Sequence, residues 1–167
     1  RYFCFTYKIT NNGEEPFLLR PVFDLHTDTG KTYAEVSREE VLQQIRVLNE
    51  QEYFSTPELI EHLREEEGND GRPILAPGKS VYGVAIFPPV DAAADFLEIY
   101  VFGLTDSFKI ETRDDERTPF VEARVITYFR PGDRFHPDRR LSLYSEDWVY
   151  VDVDLTELRQ GVLPKEW

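Results

Sequence analysis

Apolar and polar positions alternate with a period of two over most of the chain, which predicts strands. Over residues 1 to 10, Phe3, Phe5, Tyr7 and Ile9 oppose Tyr2, Cys4, Thr6 and Lys8. A tight connection at Asn11-Asn12-Gly13 follows, since Asn and Gly tolerate positive φ. Residues 16 to 27 read as a second strand with Pro21 marking a bulge or an edge. Asp28-Thr29-Gly30-Lys31 is a turn into a short strand at 32 to 36, and these first strands read as an antiparallel meander.

The two most apolar runs are SVYGVAIF and FLEIYVF, separated by Pro88-Pro89. Both faces of each are largely apolar, which places them inside a sheet rather than at its rim. Being consecutive, they read as a central antiparallel pair. Further strands are expected at 107 to 112 and 119 to 129, separated by a charged loop, RDDERTP. RRLSLY and DWVYVDV read as a final hairpin.

One region breaks the period of two. SREEVLQQIRVLNE places Val41, Leu42, Ile45 and Leu48 at helical spacing, with Ser37 and Glu40 as a capping box. A second helix over 57 to 67 starts at Ser55 or Thr56 with Pro57 in its first turn, and Gly68 ends it. The expected fold is an all-β, antiparallel β-sandwich of eight or nine strands. A helical insertion, about residues 37 to 70, caps one open end. With no repeat, low-complexity tract or linker, residues 1 to 167 read as one domain. Because the chain begins inside a strand and lacks methionine, it reads as part of a longer precursor.

Charge narrows the partners. With 32 acidic and 19 basic residues the net charge is -13, a field that repels phosphate backbones and anionic membranes. No run approaches the roughly 20 apolar residues of a transmembrane helix. Nucleic acid and membrane spanning are therefore not expected. The single cysteine, Cys4, allows no internal disulfide and reads as a small buried side chain.

Catalytic motifs are lacking. The three histidines, His26, His62 and His136, have no metal-ligand spacing, and no serine sits in a Gly-x-Ser-x-Gly elbow. Ala76-Pro77-Gly78-Lys79-Ser80 lacks the first glycine of a phosphate-binding loop. Asp152 and Asp154 share one strand face and are the candidate metal ligands. Calcium is the ion such oxygens would suit, but the DxDxDG pattern is missing and a solvated sheet face is the plainer reading, so no cofactor is expected. Aromatic residues are in surplus, and exposed ones on a sheet can form a binding platform. Trp148, Tyr150 and the loop residue His136 are the candidate ligand-binding residues.

The order YKITNNGEEPF, VFDLHTDTGKTY, LAPGKSVYGVAIF and FLEIYVFGL resembles bacterial extracytoplasmic immunoglobulin-like domains of the small lipoprotein or secreted-antigen type. The matching positions are Asn11, Asn12, Asp28, Gly30, Tyr33, Pro77, Gly78, Ser80 and Phe87, within residues 1 to 104. The resemblance implies an extracytoplasmic setting and a fold, not a reaction. The expectation is a non-enzymatic binding or structural module facing a protein or cell-envelope component. The alternative is a carbohydrate-binding or carbohydrate-active domain.

Overall fold

The computed structural model describes residues 1–49, 51–132 and 140–152. They form eleven strands and two helices. In chain order these are β1 (Phe3–Thr10), β2 (Phe17–Leu18), β3 (Val22–Thr27), β4 (Thr32–Ala34), α1 (Glu39–Leu48), β5 (Phe54–Ser55) and α2 (Thr56–Glu65). Then follow β6 (Ile74–Leu75), β7 (Ser80–Phe87), β8 (Phe96–Phe102), β9 (Phe108–Arg113), β10 (Glu116–Phe129) and β11 (Ser142–Asp152). The fold is mainly β, with the two helices inside the stretch expected to be helical. The described residues fall into two compact units: Arg1–Leu19 with Ala34–Val90, and Arg20–Tyr33 with those from Asp91 onward.

In the first unit β7 lies between antiparallel β1 and parallel β5. Its residues Val84, Ala85, Ile86 and Phe87 are buried, as the apolar character of both faces requires. Leu42 of α1 packs on Val84 and Ile86, joined by Val36, Val41, Ile45 and Tyr53. Leu59 and Leu63 bury one stripe of α2, while Ser55 and Glu58 form the capping box at its start. Arg46 ties the helices together through Glu58 Oε2 at 2.9 Å and the Tyr53 carbonyl.

The second unit is one antiparallel sheet in the order β11-β10-β8-β3-β4, with β9 also paired to β10. Its buried positions include Phe23 and Leu25 of β3, Leu97, Ile99 and Val101 of β8, and Val121, Ala123 and Val125 of β10.

Several expectations are corrected. β7 and β8 are interior strands but not partners, because the chain passes from one sheet to the other between Phe87 and Phe96. Pro88-Pro89 cannot form a two-residue hairpin, so nothing local forces the pairing. The expected strand at 16 to 27 splits around Leu19, Arg20 and Pro21 into β2, paired with β6, and β3, paired with β8. β1 accordingly pairs with β7, not with its sequence neighbour, and the first strands are no meander. Ser37 does not cap α1. Val36 N still donates to Ile86 O at 2.7 Å, so the backbone stays extended there and Arg38 becomes the N-cap residue. The charged loop is a two-residue turn in which Asp114 and Asp115 both adopt positive φ, 49° and 66°. The final hairpin is instead one strand, β11, whose register shift against Thr127 and Tyr128 leaves Tyr144 as the extra residue. Cys4 is exposed, on the outward side of β1 with Thr6 and Lys8.

Gly103 shows why β3 starts where it does. At φ 75° it lets the backbone pass so close to the Arg20 carbonyl that a Cβ would collide with it. Gly103→Ala should therefore cost about 2–4 kcal/mol through clash and left-handed strain together. Urea unfolding with the slope unchanged checks this, and a loss under about 0.5 kcal/mol would contradict the close approach.

Candidate functional site

The turn at Asp114-Asp115 fixes the register of the β9–β10 hairpin, which sets Lys109 opposite Phe120. The β10–β11 register sets Glu122 opposite Tyr150 and Arg124 opposite Trp148. Paired residues in an antiparallel sheet point to the same side, so these side chains share one face. Among the described residues β11 has a strand on one side only, and its side chains are mostly exposed. Val149 and Val151, pointing the other way, are half-buried and anchor the strand.

Two cations hold the rings. Lys109 Nζ lies 4.9 Å from the Tyr150 ring centre and 5.2 Å from that of Phe120, and it pairs with Glu111 at 2.8 Å. The guanidinium of Arg124 sits 5.2 Å from the Trp148 ring centre, while its Nε donates to Glu146 Oε1 at 3.0 Å. Tyr150 Oη and Ser107 Oγ share a hydrogen bond of 2.9 Å. Trp148 stays 48% exposed and Tyr150 43%, although both rings are fixed from the protein side. Positions two apart on a strand are separated by roughly 6.6 Å, so the face offers two rings in a row with charged groups between them. Such a surface can stack against the C–H face of a sugar or an apolar side chain and hydrogen-bond to what surrounds it.

The candidate residues separate clearly. Trp148 and Tyr150 come together on this face. Asp152 ends β11, exposed and opposite Phe120. Asp154 and His136 lie outside the described residues. Among the described residues no three His, Cys, Asp or Glu side chains are grouped to hold a metal ion. Acids in the turns serve the backbone instead. Asp70, Asp114 and Asp115 occupy positive-φ turn positions, and Asp28 accepts the Asp95 N–H. Asp91 is held at about 2 by Lys31, with help from the Ala93 N–H and the Thr29 hydroxyl. No helix of the described residues is long and apolar enough to cross a membrane.

The opposite face of the same sheet carries a second polar set. Cross-strand pairing brings Asp24 beside Tyr100 and His26 beside Glu98. The His26 and Tyr100 rings lie 4.6 Å apart, and Tyr100 donates to Glu98 at 3.3 Å. Burial raises the Asp24 carboxyl against the opposing pull of His26, and burial followed by Glu98 raises the Tyr100 phenol. These contacts close on themselves within two strands, as cross-strand packing does.

Lys109, Phe120 and Arg124 were not among the expected site residues. Their membership depends on which residue faces which across two strand pairs, and the polar Asp-Asp turn that sets this reads as a loop. No family model matches the chain, and no curated protein or solved structure matches it either.

Removing the Arg124 side chain should free the Trp148 ring without unfolding the sheet. Arg124→Ala is expected to cost about 0.5–1 kcal/mol, the size of one exposed cation–π contact with a surface ion pair, and to weaken the near-ultraviolet dichroism of tryptophan. Unchanged dichroism would mean that the guanidinium does not hold the ring.

Proposed function

We propose that this chain is a non-enzymatic extracytoplasmic binding module whose ligand is a carbohydrate of the cell envelope. It is taken up on the outer face of β9, β10 and β11. The observation that carries this reading is the pair Trp148 and Tyr150, solvent-facing yet pinned by Arg124 and Lys109. A ring held in place before the ligand arrives loses little freedom on binding, and sugars present C–H faces that stack on such rings. Lys109, Glu122, Arg124 and Glu146 surround the rings with groups that can meet hydroxyls.

The extracytoplasmic setting and the immunoglobulin-like sandwich rest on the turn motifs, and local geometry supports them as fold-making elements. Asn11 Nδ2 donates to the Leu75 and Glu15 carbonyls, while Asn11 O accepts from Gly78 N at 2.8 Å. The Asn-rich turn and the Pro77-Gly78 turn thus tie one another down. Tyr33 accepts the Asp91 N–H through its hydroxyl, so this motif tyrosine also anchors a loop.

The test is a calorimetric titration of the protein with a panel of soluble envelope and plant-type glycans. At least one glycan should give a saturable heat change, and Trp148→Ala and Tyr150→Ala should each weaken that binding about tenfold or more at unchanged melting temperature. Binding that survives both substitutions, or a panel without any saturable change, contradicts the proposal.

A further inference from the structure

The first unit holds a half-buried acid that the proposed ligand face does not use. Glu35 lies just after β4, on the segment that runs along β7 before α1 begins. The Thr56 hydroxyl donates to Glu35 Oε1 at 2.8 Å, and the Thr56 backbone N–H also donates to the carboxyl. Thr56 is the buried first residue of α2, immediately after β5. Its Oγ1 lies 3.5 Å from the Tyr7 hydroxyl, which reaches it from β1 across β7. The crossing is possible because Gly83, directly opposite Tyr7, has no side chain; a Cβ there would enter the Tyr7 ring. One polar chain therefore spans all three strands, from Tyr7 over Gly83 to Thr56 and Glu35.

The charged groups of the surrounding elements are engaged elsewhere. Arg46 of α1 pairs with Glu58 of α2 and approaches Glu39, and Arg38 lies over the Tyr2 ring. Lys8 of β1 lies over Tyr82 of β7. His62 of α2 stacks on Phe54 and approaches Glu66 at 3.6 Å. Among the described residues no Lys, Arg or His pairs with Glu35, which leaves a carboxyl in a partly buried site with only hydrogen-bond donors beside it.

We propose that Glu35, Thr56 and Tyr7 form a proton-operated latch: the neutral carboxyl fastens the start of α2 to the β1–β7–β5 sheet, and loss of its proton loosens that attachment. Burial, only partly offset by the two Thr56 bonds, pushes Glu35 up to about 7 from its ordinary 4.5, and burial likewise raises Tyr7. A carboxyl raised on folding favours the fold in its protonated form. Its contribution is complete below about 4.5, declines as pH rises, and is gone above about 7. Between those values each pH unit weakens the attachment by up to tenfold.

The experiment follows amide exchange across α2 from pH 5 to 8.5, corrected for intrinsic rates, in the wild type, Glu35→Gln and His62→Gln. Protection of α2 in the wild type should fall by roughly tenfold to a hundredfold between pH 5 and 7 and stay level from there to 8.5. In Glu35→Gln the profile should be flat, while His62→Gln should behave as the wild type. A wild-type profile retained in Glu35→Gln, or flattened in His62→Gln, overturns the latch. Carboxyl carbon NMR on the unaltered chain supplies the check that needs no variant: Glu35 should titrate above pH 6, and a midpoint in the ordinary glutamate range overturns the proposal.

Discussion

The register of β10 is the constraint on which the second unit depends. Its fourteen residues pair with β8, β9 and β11, so one strand decides what faces what across four. Side chains alternate along it with a period of two, which sends Val121, Ala123 and Val125 inward and Phe120, Glu122 and Arg124 to the other face. A slip of one residue would exchange those sets and place an arginine among buried apolar side chains, which is why the register is strongly specified. The two-residue Asp114-Asp115 turn pins one end. The irregularity at Tyr144 lets β11 continue past Thr127, and the Tyr144 ring meets Phe96 edge-on at 5.5 Å.

Acidic residues account for much of the local construction of the chain as well as its net charge. Asp28 and Asp91 collect backbone N–H groups, Asp70, Asp114 and Asp115 supply unusual backbone angles, and Glu58 closes a capping box while pairing with Arg46. Each is a local alternative to backbone pairing that short acidic side chains, and a glutamate at a helix start, are suited to provide. Glu35 differs from them because it sits half-buried beside the Thr56 donors and, among the described residues, pairs with no cation.

What the sequence made legible was whatever depends on neighbours along the chain. The alternation of Phe3 to Ile9 marked β1, and Ser55, Thr56 and Pro57 marked the start of α2. Trp148 and Tyr150 were readable as a pair because two positions along a strand share a face. What depends on long-range pairing was not legible. Two apolar faces on β7 and β8 implied interior strands, but not that each would choose other partners. Ser145-Glu146 resembled a turn because an outermost strand can expose polar residues on both sides and still be a strand. Lys109 and Arg124 entered the site only through the register. The separation of Glu35 from Thr56 and Tyr7 along the chain left no local pattern to mark their meeting.

The most direct test of the β10 register is a set of cross-strand nuclear Overhauser effects between β10 and β11. The account predicts backbone contacts placing Arg124 opposite Trp148 and Glu122 opposite Tyr150, with the shift near Tyr144. Backbone contacts placing Trp148 directly opposite Val125 or Ala123 would move both rings to the other side of the sheet. That result would contradict the account of the face on which the proposed binding rests.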